Sequence, residues 1–224
     1  MITENAVQYP DLQEIVEKGE RKTVYKKLVR RQKLDRRSQI LQVVLEMLKE
    51  EDYKAVSMSR IAEAIGTSEA AIYRNYRNKS AIFGAVVDFI DASLLGVFGK
   101  IRDDKSTNPL VHVQQMINVL LDFVDANPGL GRILLCQDQL TEDLKLRRRM
   151  LELLATLETR IRMEYRAAME AGLLPLHFNE DARASMVMCF IQGRWLRALY
   201  SNFKLKAGGL GPSHIAPFFA YTQL

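Results

Sequence analysis

The chain has 224 residues, of which 48% are hydrophobic, so it is long enough to bury a large core as one or two domains. Glycine and proline are scarce, at 12 and 6 residues, and apolar residues recur at intervals of three and four rather than two. The net charge of +5 favours a polyanionic partner without distinguishing nucleic acid from a membrane surface. These features predict an all-α protein, and no sheet is needed to explain them.

The positive charge is concentrated near the N-terminus. Residues 18–37 contain ten basic and two acidic side chains, which leaves the rest of the chain net acidic. Residues 1–33 carry no sustained apolar stripe, and we interpret them as a basic extension rather than a domain. They do not resemble a signal peptide, and no apolar run approaches the ~18 residues of a membrane span. We therefore expect a cytoplasmic protein without a membrane partner.

Three short helices are predicted to follow the extension. Apolar residues at helical spacing place the first over residues 35–51. Ser57 has the chemistry of an N-cap for the second helix, and Gly66 tolerates the left-handed backbone that ends one. Ser68 caps the third helix, on which Ile72 and Tyr76 are expected to face the core.

The second and third helices, joined by a tight glycine turn, have the geometry of a helix-turn-helix that enters the major groove of duplex DNA. Arg74 suits guanine or phosphate, Asn75 suits adenine, and Lys79 opens the next helix, where an N-terminus already favours a phosphate. Such helix pairs also occur in proteins that bind no DNA, but the basic extension favours DNA here. The predicted DNA-binding residues are Ser57, Thr67, Ser68, Glu69, Ala71, Tyr73, Arg74, Asn75, Tyr76 and Lys79.

The remaining chain is predicted to be helical throughout. A polar stretch that Pro109 closes separates the fourth helix from those that follow. Asn127 and Pro128 form a start signal, and Gly172 ends the longest helix. The predicted helices cover about 79–101, 111–125, 128–136, 142–171 and 181–203, and a flexible turn at 208–212 precedes a short apolar helix over 213–221.

Apolar faces on the two longest C-terminal helices predict a homodimer. Two such helices can pair with their symmetry mates as a four-helix interface. The predicted interface residues are Leu153, Leu157 and Ile161 on one helix and Met186, Cys189, Phe190, Gly193 and Leu196 on the other.

No pattern of catalytic or metal-binding residues stands out. His112, His177 and His214 lack a carboxylate, His or Cys partner at helical spacing, so we expect solvated or hydrogen-bonded histidines. There is no Gly-x-Ser-x-Gly elbow or phosphate-binding glycine loop. Cys136 and Cys189 are predicted to pack as small apolar side chains rather than form a disulfide. We therefore expect no enzyme, no metal site and no cofactor.

The segment from Ser57 to Lys79 resembles the signature of the TetR family of bacterial regulators. The resemblance rests on Ile61-Ala62 followed by Gly66-Thr-Ser68-Glu-Ala-Ala-Ile72-Tyr73 and then Tyr76 and Lys79, with Asn75 and Tyr76 standing where the family usually has His and Phe. It implies a three-helix DNA-binding domain over 34–80 and a helical dimerisation and regulatory domain over 81–224. Tyr73 and Lys79 would then touch phosphates, and the protein would repress transcription from a palindromic site, with release by a small-molecule effector left open.

Three further segments resemble the nucleoid-occlusion branch of the TetR family: 89–94, 127–134 and 201–204. Proteins of that branch bind DNA and also the tail of the division protein FtsZ, in a groove between the fourth and fifth helices that uses basic side chains. Phe89 and Asn127 match this groove. Val97, Ala126 and Asp122 stand at other matching places, so the cations are lost. The resemblance implies an alternative function, a nucleoid-associated factor that antagonises FtsZ assembly.

Overall fold

A computed structural model describes residues 35–50, 56–135, 143–210 and 212–219. Every regular element in these ranges is a helix, which confirms the predicted all-α class. The chain divides into two compact units, Met1–Phe89 and Ile90–Leu224, and the division falls within one long helix. The predicted domains place their boundary earlier, at the start of that helix. The basic extension over residues 1–33 lies outside the described residues.

Three short helices pack against one another in the N-terminal unit, and a fourth begins there. They are α1 (Arg36–Glu50), α2 (Met58–Ile65), α3 (Glu69–Asn75) and α4 (Lys79–Asp103). Ile40, Ile61 and Ile72 are fully buried between them. Burying an aliphatic side chain of this size contributes roughly 1.5–3 kcal/mol, so this small core holds the helix-turn-helix together.

Local capping fixes the ends of α2 and α3. The Ser57 hydroxyl accepts a hydrogen bond from the Arg60 amide at 3.2 Å, and the Ser68 hydroxyl accepts one from the Ala71 amide at 3.3 Å. Gly66 ends α2 in the left-handed region, with φ of 73°. The predicted caps and the glycine turn are therefore confirmed, and each serine cap contributes about 1 kcal/mol.

The C-terminal unit is built around three long helices. The elements after α4 are α5 (Pro109–Ala126), α6 (Pro128–Leu135), α7 (Leu144–Glu170), α8 (Glu180–Tyr200), α9 (Pro212–Ile215) and a 3₁₀ turn (Ala216–Phe218). Helices α5, α7 and α8 pack against one another in pairs. The Trp195 indole is buried and donates to the Leu120 carbonyl at 2.8 Å, which satisfies its only polar atom.

Side-chain hydrogen bonds and left-handed residues shape the segment that follows α8. Helix α8 ends at Tyr200, because Asn202 and Phe203 adopt left-handed φ values of 51° and 59°. The amides of Ala207 and Gly208 both donate to the Asp125 carboxylate at 2.8 Å. The predicted turn therefore begins with a backbone amide that is hydrogen-bonded to α5. The predicted last helix is shorter than expected and passes into a 3₁₀ turn that contains Pro217.

Helix α4 is long and apolar enough to cross a membrane by length and composition alone. Half of its most apolar window is buried within the protein. A helix buried in a protein core has the same profile, so this finding adds no membrane role. The sequence prediction overlooked it because scattered small and polar residues interrupt the apolar run.

Candidate nucleic-acid interface

The exposed face of α3 is the centre of the candidate interface. Ile72 and Tyr76 are buried, as predicted, and hold α3 against the core. The exposed side chains lie on the opposite face: Glu69, Ala70, Tyr73 and Arg74. Ala70 was missed by the sequence prediction, although its spacing from Tyr73 and Arg74 places it on their face. A seven-residue helix with one exposed polar face suits the width of the major groove.

Several predicted contact residues have structural partners in the turn. The hydroxyls of Ser57 and Ser68 cap α2 and α3 as described above. Thr67 is half-buried, and its amide donates to the Ala62 carbonyl at 2.9 Å. Ala71 is half-buried at the edge of the exposed face. These residues therefore shape the turn, and any contribution they make to DNA binding adds to that role.

Asn75 does not present its amide for reading adenine. Its Nδ2 donates to the Ala71 carbonyl at 2.8 Å, one turn back along α3. Pairing with adenine requires the amide donor and acceptor together, so this conformation does not support the predicted contact. Arg74 beside it is exposed, and its contact with a base edge stays a prediction. A short polar side chain near a helix end commonly bonds to its own backbone, which composition alone does not reveal.

Tyr73 and Lys79 lie where contacts to the DNA backbone are expected. Tyr73 is 49% exposed. Lys79 is the first residue of α4, and its Nζ lies 5.4 Å from the centroid of the Phe83 ring. An ammonium group held over an aromatic face keeps its charge at the surface. The phosphate contacts of both side chains stay predictions.

The prediction that Tyr76 contacts DNA directly is wrong, because its side chain is only 4% exposed. It is the C-cap residue of α3, and its amide donates to the Ile72 carbonyl at 3.0 Å. Its hydroxyl lies 3.4 Å from the Arg37 carbonyl. The ring thus belongs to the packing that holds α3 in place.

The predicted dimer surface is divided between core and exterior. Leu153, Leu157 and Ile161 on α7 are at most 3% exposed within one protomer, so their assignment to the seam is wrong. On α8 the face predicted for dimerisation is largely exposed and includes Met186, Cys189, Gly193 and Leu196. Phe190 is half-buried, and its ring centroid lies 4.9 Å from that of Phe218.

The structure describes one of the two cysteines. Cys189 is a free and exposed thiol on this face of α8. Cys189 therefore does not pack inside one protomer, and its predicted packing in a dimer interface stays a prediction. Cys136 lies outside the described residues.

The two residues predicted for a partner groove are not accessible. Phe89 and Asn127 are 1% and 4% exposed, and the Asn127 amide donates to the Phe123 carbonyl at 2.9 Å. In the described conformation these two side chains offer little surface to a partner, and their assignment as groove contacts stays a prediction. Asp122 and Ala126 are exposed on α5. This side of α5 carries the acidic groups Asp122 and Asp125 rather than basic ones. Partial desolvation, and to a smaller extent repulsion from Asp125, raises the pKa of Asp122.

A buried polar pair in the C-terminal unit was missed by the sequence analysis. His112 Nδ1 lies 2.9 Å from Glu164 Oε2, and His112 Nε2 lies 3.2 Å from the Asp104 carbonyl. His112 is thus hydrogen-bonded, but its partner is 52 positions away and no local spacing could reveal it. Within the described residues, no group of three or more His, Cys, Asp or Glu side chains could hold a metal ion.

A cavity of about 120 Å³ lies beside Glu164. Arg102 and Arg160 lie at this cavity with Glu164. The other side chains that line it are apolar: Leu95, Phe98, Met116 and Met163. Sites for drug-sized ligands measure about 300–1,000 Å³. In this conformation the cavity therefore suits only a very small molecule or a few waters.

Two family models match the chain. One, described as "Bacterial regulatory proteins, tetR family", matches residues 40–86. The other, an SlmA-like "Tetracyclin repressor-like, C-terminal domain", matches residues 107–212. Curated relatives named nucleoid occlusion factor SlmA, from Shewanella sp. (strain W3-18-1) and Shewanella putrefaciens, are 32% identical over 174 residues. The match covers 78% of this chain and 88% of each relative.

Solved structures with similar folds include other helical regulators. FadR from Bacillus subtilis, in complex with stearoyl-CoA, has a TM-score of 0.66 at 16% identity, covering 81% of this chain and 97% of its own. The regulatory protein TetR from Rhodobacter sphaeroides has a TM-score of 0.62 at 20% identity, covering 81% and 95%. At these identities the likeness establishes the fold.

Proposed function

Because the chain belongs to the TetR family of bacterial regulatory proteins, with a C-terminal domain of the SlmA-like type, we propose that it acts as a homodimer that binds an inverted repeat and represses transcription there. It would act in the cytoplasm, on the chromosome. The observation that carries this proposal is the exposed polar face of α3, backed by a buried Ile72 and positioned by two serine caps. In this arrangement α3 enters the major groove, Arg74 reads a base edge, and Tyr73 and Lys79 contact phosphates.

Two copies are needed because one short helix reads only a few base pairs. The exposed apolar face of α8 supplies the surface for pairing. Met186 and Leu196 are 55% and 38% exposed, and Tyr200, one turn beyond Leu196, is 80% exposed. A stripe of this kind is covered when two protomers meet about a two-fold axis, which also matches the symmetry of an inverted repeat.

Three alanine variants test the roles on α3 and α4. Tyr73→Ala and Lys79→Ala should weaken binding to all duplexes similarly and reduce the salt dependence of affinity, because phosphate contacts carry no sequence information. Arg74→Ala should instead relax the preference for one base position, worth about 1–3 kcal/mol of discrimination. Competition binding between duplexes at several salt concentrations measures both effects.

Lys100→Ala is the matched control, because Lys100 is exposed at the far end of the helix that Lys79 begins. Its affinity and salt dependence should equal those of the unmodified protein. Unchanged binding by all three test variants would show that α3 is not the reading helix.

The chain has a second candidate function, nucleoid occlusion, which the name of its curated relatives favours. In this function the protein would bind many chromosomal sites and antagonise FtsZ assembly near them. The accessible residues on α5 argue for a contact different from a basic groove, because Asp122 is acidic and exposed. Co-sedimentation with FtsZ polymers, with and without bound DNA, tests it: DNA-dependent co-sedimentation with fewer polymers supports nucleoid occlusion, and an unaffected polymer yield contradicts it.

The cavity beside Glu164 limits the size of any effector that would release DNA in the described conformation. The cavity beside Glu164 is too small for a ligand the size of an acyl-CoA unless the surrounding helices separate. Any effector bound there in the described conformation would have to be a small molecule that tolerates both apolar walls and the charges of Arg102 and Glu164.

A further inference from the structure

Arg37, in the first turn of α1, lies beside the end of the recognition helix. Its guanidinium carbon is 4.9 Å from the centroid of the Tyr76 ring, within the range of a cation–π contact. Its carbonyl oxygen is 3.4 Å from the Tyr76 hydroxyl. Arg37 is exposed whereas Tyr76 is buried, so the tyrosine ring forms a fixed platform that holds a cation at the surface.

The backbone that carries Arg37 is also fixed. The Asp35 carboxylate accepts a hydrogen bond from the Ser38 amide at 2.7 Å, which caps the first turn of α1. The adjacent Arg36 behaves differently, because its Nη1 donates to the Gln39 side chain at 3.0 Å, along its own helix. Of these two neighbouring arginines, Arg37 is the one that packs against the C-cap residue of α3.

Holding an arginine in place affects its affinity for an anion. A free arginine side chain loses up to about 2 kcal/mol of rotamer entropy when it becomes ordered, and a side chain that is already ordered avoids much of that loss on binding. A guanidinium is also the group best suited to a phosphate, through paired N–H donors. The arrangement therefore favours a phosphate contact over a solvated surface charge.

We infer that Arg37 contacts a DNA phosphate and that Tyr76 is its positioning residue. This inference rests on the proposed function, because it requires α3 to lie in the major groove. Tyr76 would then contribute to DNA binding through Arg37, without contacting DNA itself. The hydroxyl, which the Phe usual at this position would lack, ties the start of α1 to the end of α3.

Arg37→Gln in the full-length protein tests the phosphate contact. Affinity for every duplex should fall while the preferred sequence stays the same. A dimer loses two contacts, so the slope of log affinity against log salt should fall by about two. The ratio of the affinity of the unmodified protein to that of the variant should therefore fall by about tenfold between ~50 and ~200 mM salt. Arg37→Lys keeps the charge and should retain the slope with part of the affinity lost.

Arg36→Gln is the matched control and should leave the slope unchanged. An equal fall in slope for Arg36→Gln and Arg37→Gln would overturn the inference, because general positive charge would then explain both. An Arg37→Gln variant with a lower melting temperature but an unchanged slope would also overturn it, since the cation–π contact would be purely structural. If Tyr73→Ala and Lys79→Ala lower the slope and Arg37→Gln does not, the proposed function stands and this inference fails.

A double-mutant cycle tests Tyr76 as the positioning residue. Tyr76→Met replaces the ring with an apolar side chain and should weaken binding in the protein that has Arg37, but add little to Arg37→Gln. Tyr76→Phe keeps the ring and should leave the slope unchanged. Additive losses in the cycle would contradict the platform role, and the Arg37 variants decide the phosphate contact independently if Tyr76→Met fails to fold.

Discussion

His112 and Glu164 form a buried side-chain pair whose partners come from α5 and α7. Their atoms meet at 2.9 Å with both side chains 6% exposed. A buried polar group that loses its partner costs about 1–3 kcal/mol, and a buried charge left unpaired costs about 3–5 kcal/mol. Loss of either member should therefore destabilise the C-terminal unit, because the other side chain would stay buried without its partner.

Glu164→Ala should lower the free energy of unfolding by at least about 1–3 kcal/mol, because His112 would keep only its contact with the Asp104 carbonyl. Denaturant unfolding measures the loss. Glu170→Ala, at an exposed position on the same helix, is the control and should change stability by no more than about 0.5 kcal/mol. Equal effects of the two substitutions would contradict the structural role of the pair.

At the candidate interface, the sequence predicted which face of α3 a side chain occupies more reliably than it predicted the hydrogen-bond partner of that side chain. The sequence predicted that Arg74 lies on the outer face, because apolar spacing assigns the opposite face to Ile72, whereas the surface role of Tyr73 followed only from the family resemblance. It could not predict that the Asn75 amide turns onto its own helix, since a hydroxyl or amide has several partners of similar energy nearby. The choice among them depends on backbone geometry rather than residue identity.

Helix α6 meets the segment after α8 through a glycine. A Cβ added at Gly131 would lie 2.8 Å from Val124 Cγ1 and 3.4 Å from Phe203 Cε1. Arg132 stacks over the Phe203 ring at 5.0 Å and hydrogen-bonds to Asn202. Two of the segments that resemble the nucleoid-occlusion branch, 127–134 and 201–204, therefore contact each other.

Gly131→Ala should destabilise the protein by about 1–3 kcal/mol, because the stiff Val124 side chain cannot move away without repacking. Gly96→Ala provides the control, since a Cβ there meets nothing within 4 Å and the site lies inside α4. That substitution should stabilise by roughly 0.5–1 kcal/mol through helix propensity. Thermal unfolding of both variants measures the contrast, and a Gly131→Ala protein as stable as the unmodified one would contradict this packing.

Most helices could be predicted from sequence because their signals are local. Caps, glycine ends and proline starts lie within a few residues of the boundary they set, as at Ser57 and Gly66. The faces of α7 could not be assigned in the same way. An apolar stripe such as Leu153 and Leu157 has the same spacing whether it meets its own core or a partner, and only the packing of α7 with α5 and α8 decides between them.

The whole molecule is proposed to work as a dimer through α8. Leu196→Glu should place unpaired charges in the seam, at a cost of several kcal/mol, so dimerisation and DNA binding should fail together. Light scattering and a DNA-binding assay on the same samples measure this. Leu176→Glu, in the exposed turn between α7 and α8, is the control and should stay dimeric. Leu196 is a cleaner test position than Phe190, because Phe190 also packs on Phe218 within one protomer.

Selection of bound sequences from random duplex DNA by the unmodified full-length protein tests the central claim most directly. A dimer that places two copies of α3 in the major groove should enrich an inverted repeat, with half-sites about one helical turn apart or slightly more, roughly 10–10.5 base pairs from centre to centre at the shortest. Arg74→Ala should enrich the same repeat with one position in each half-site relaxed. Enrichment of no sequence, or of a single half-site without symmetry, would contradict the claim.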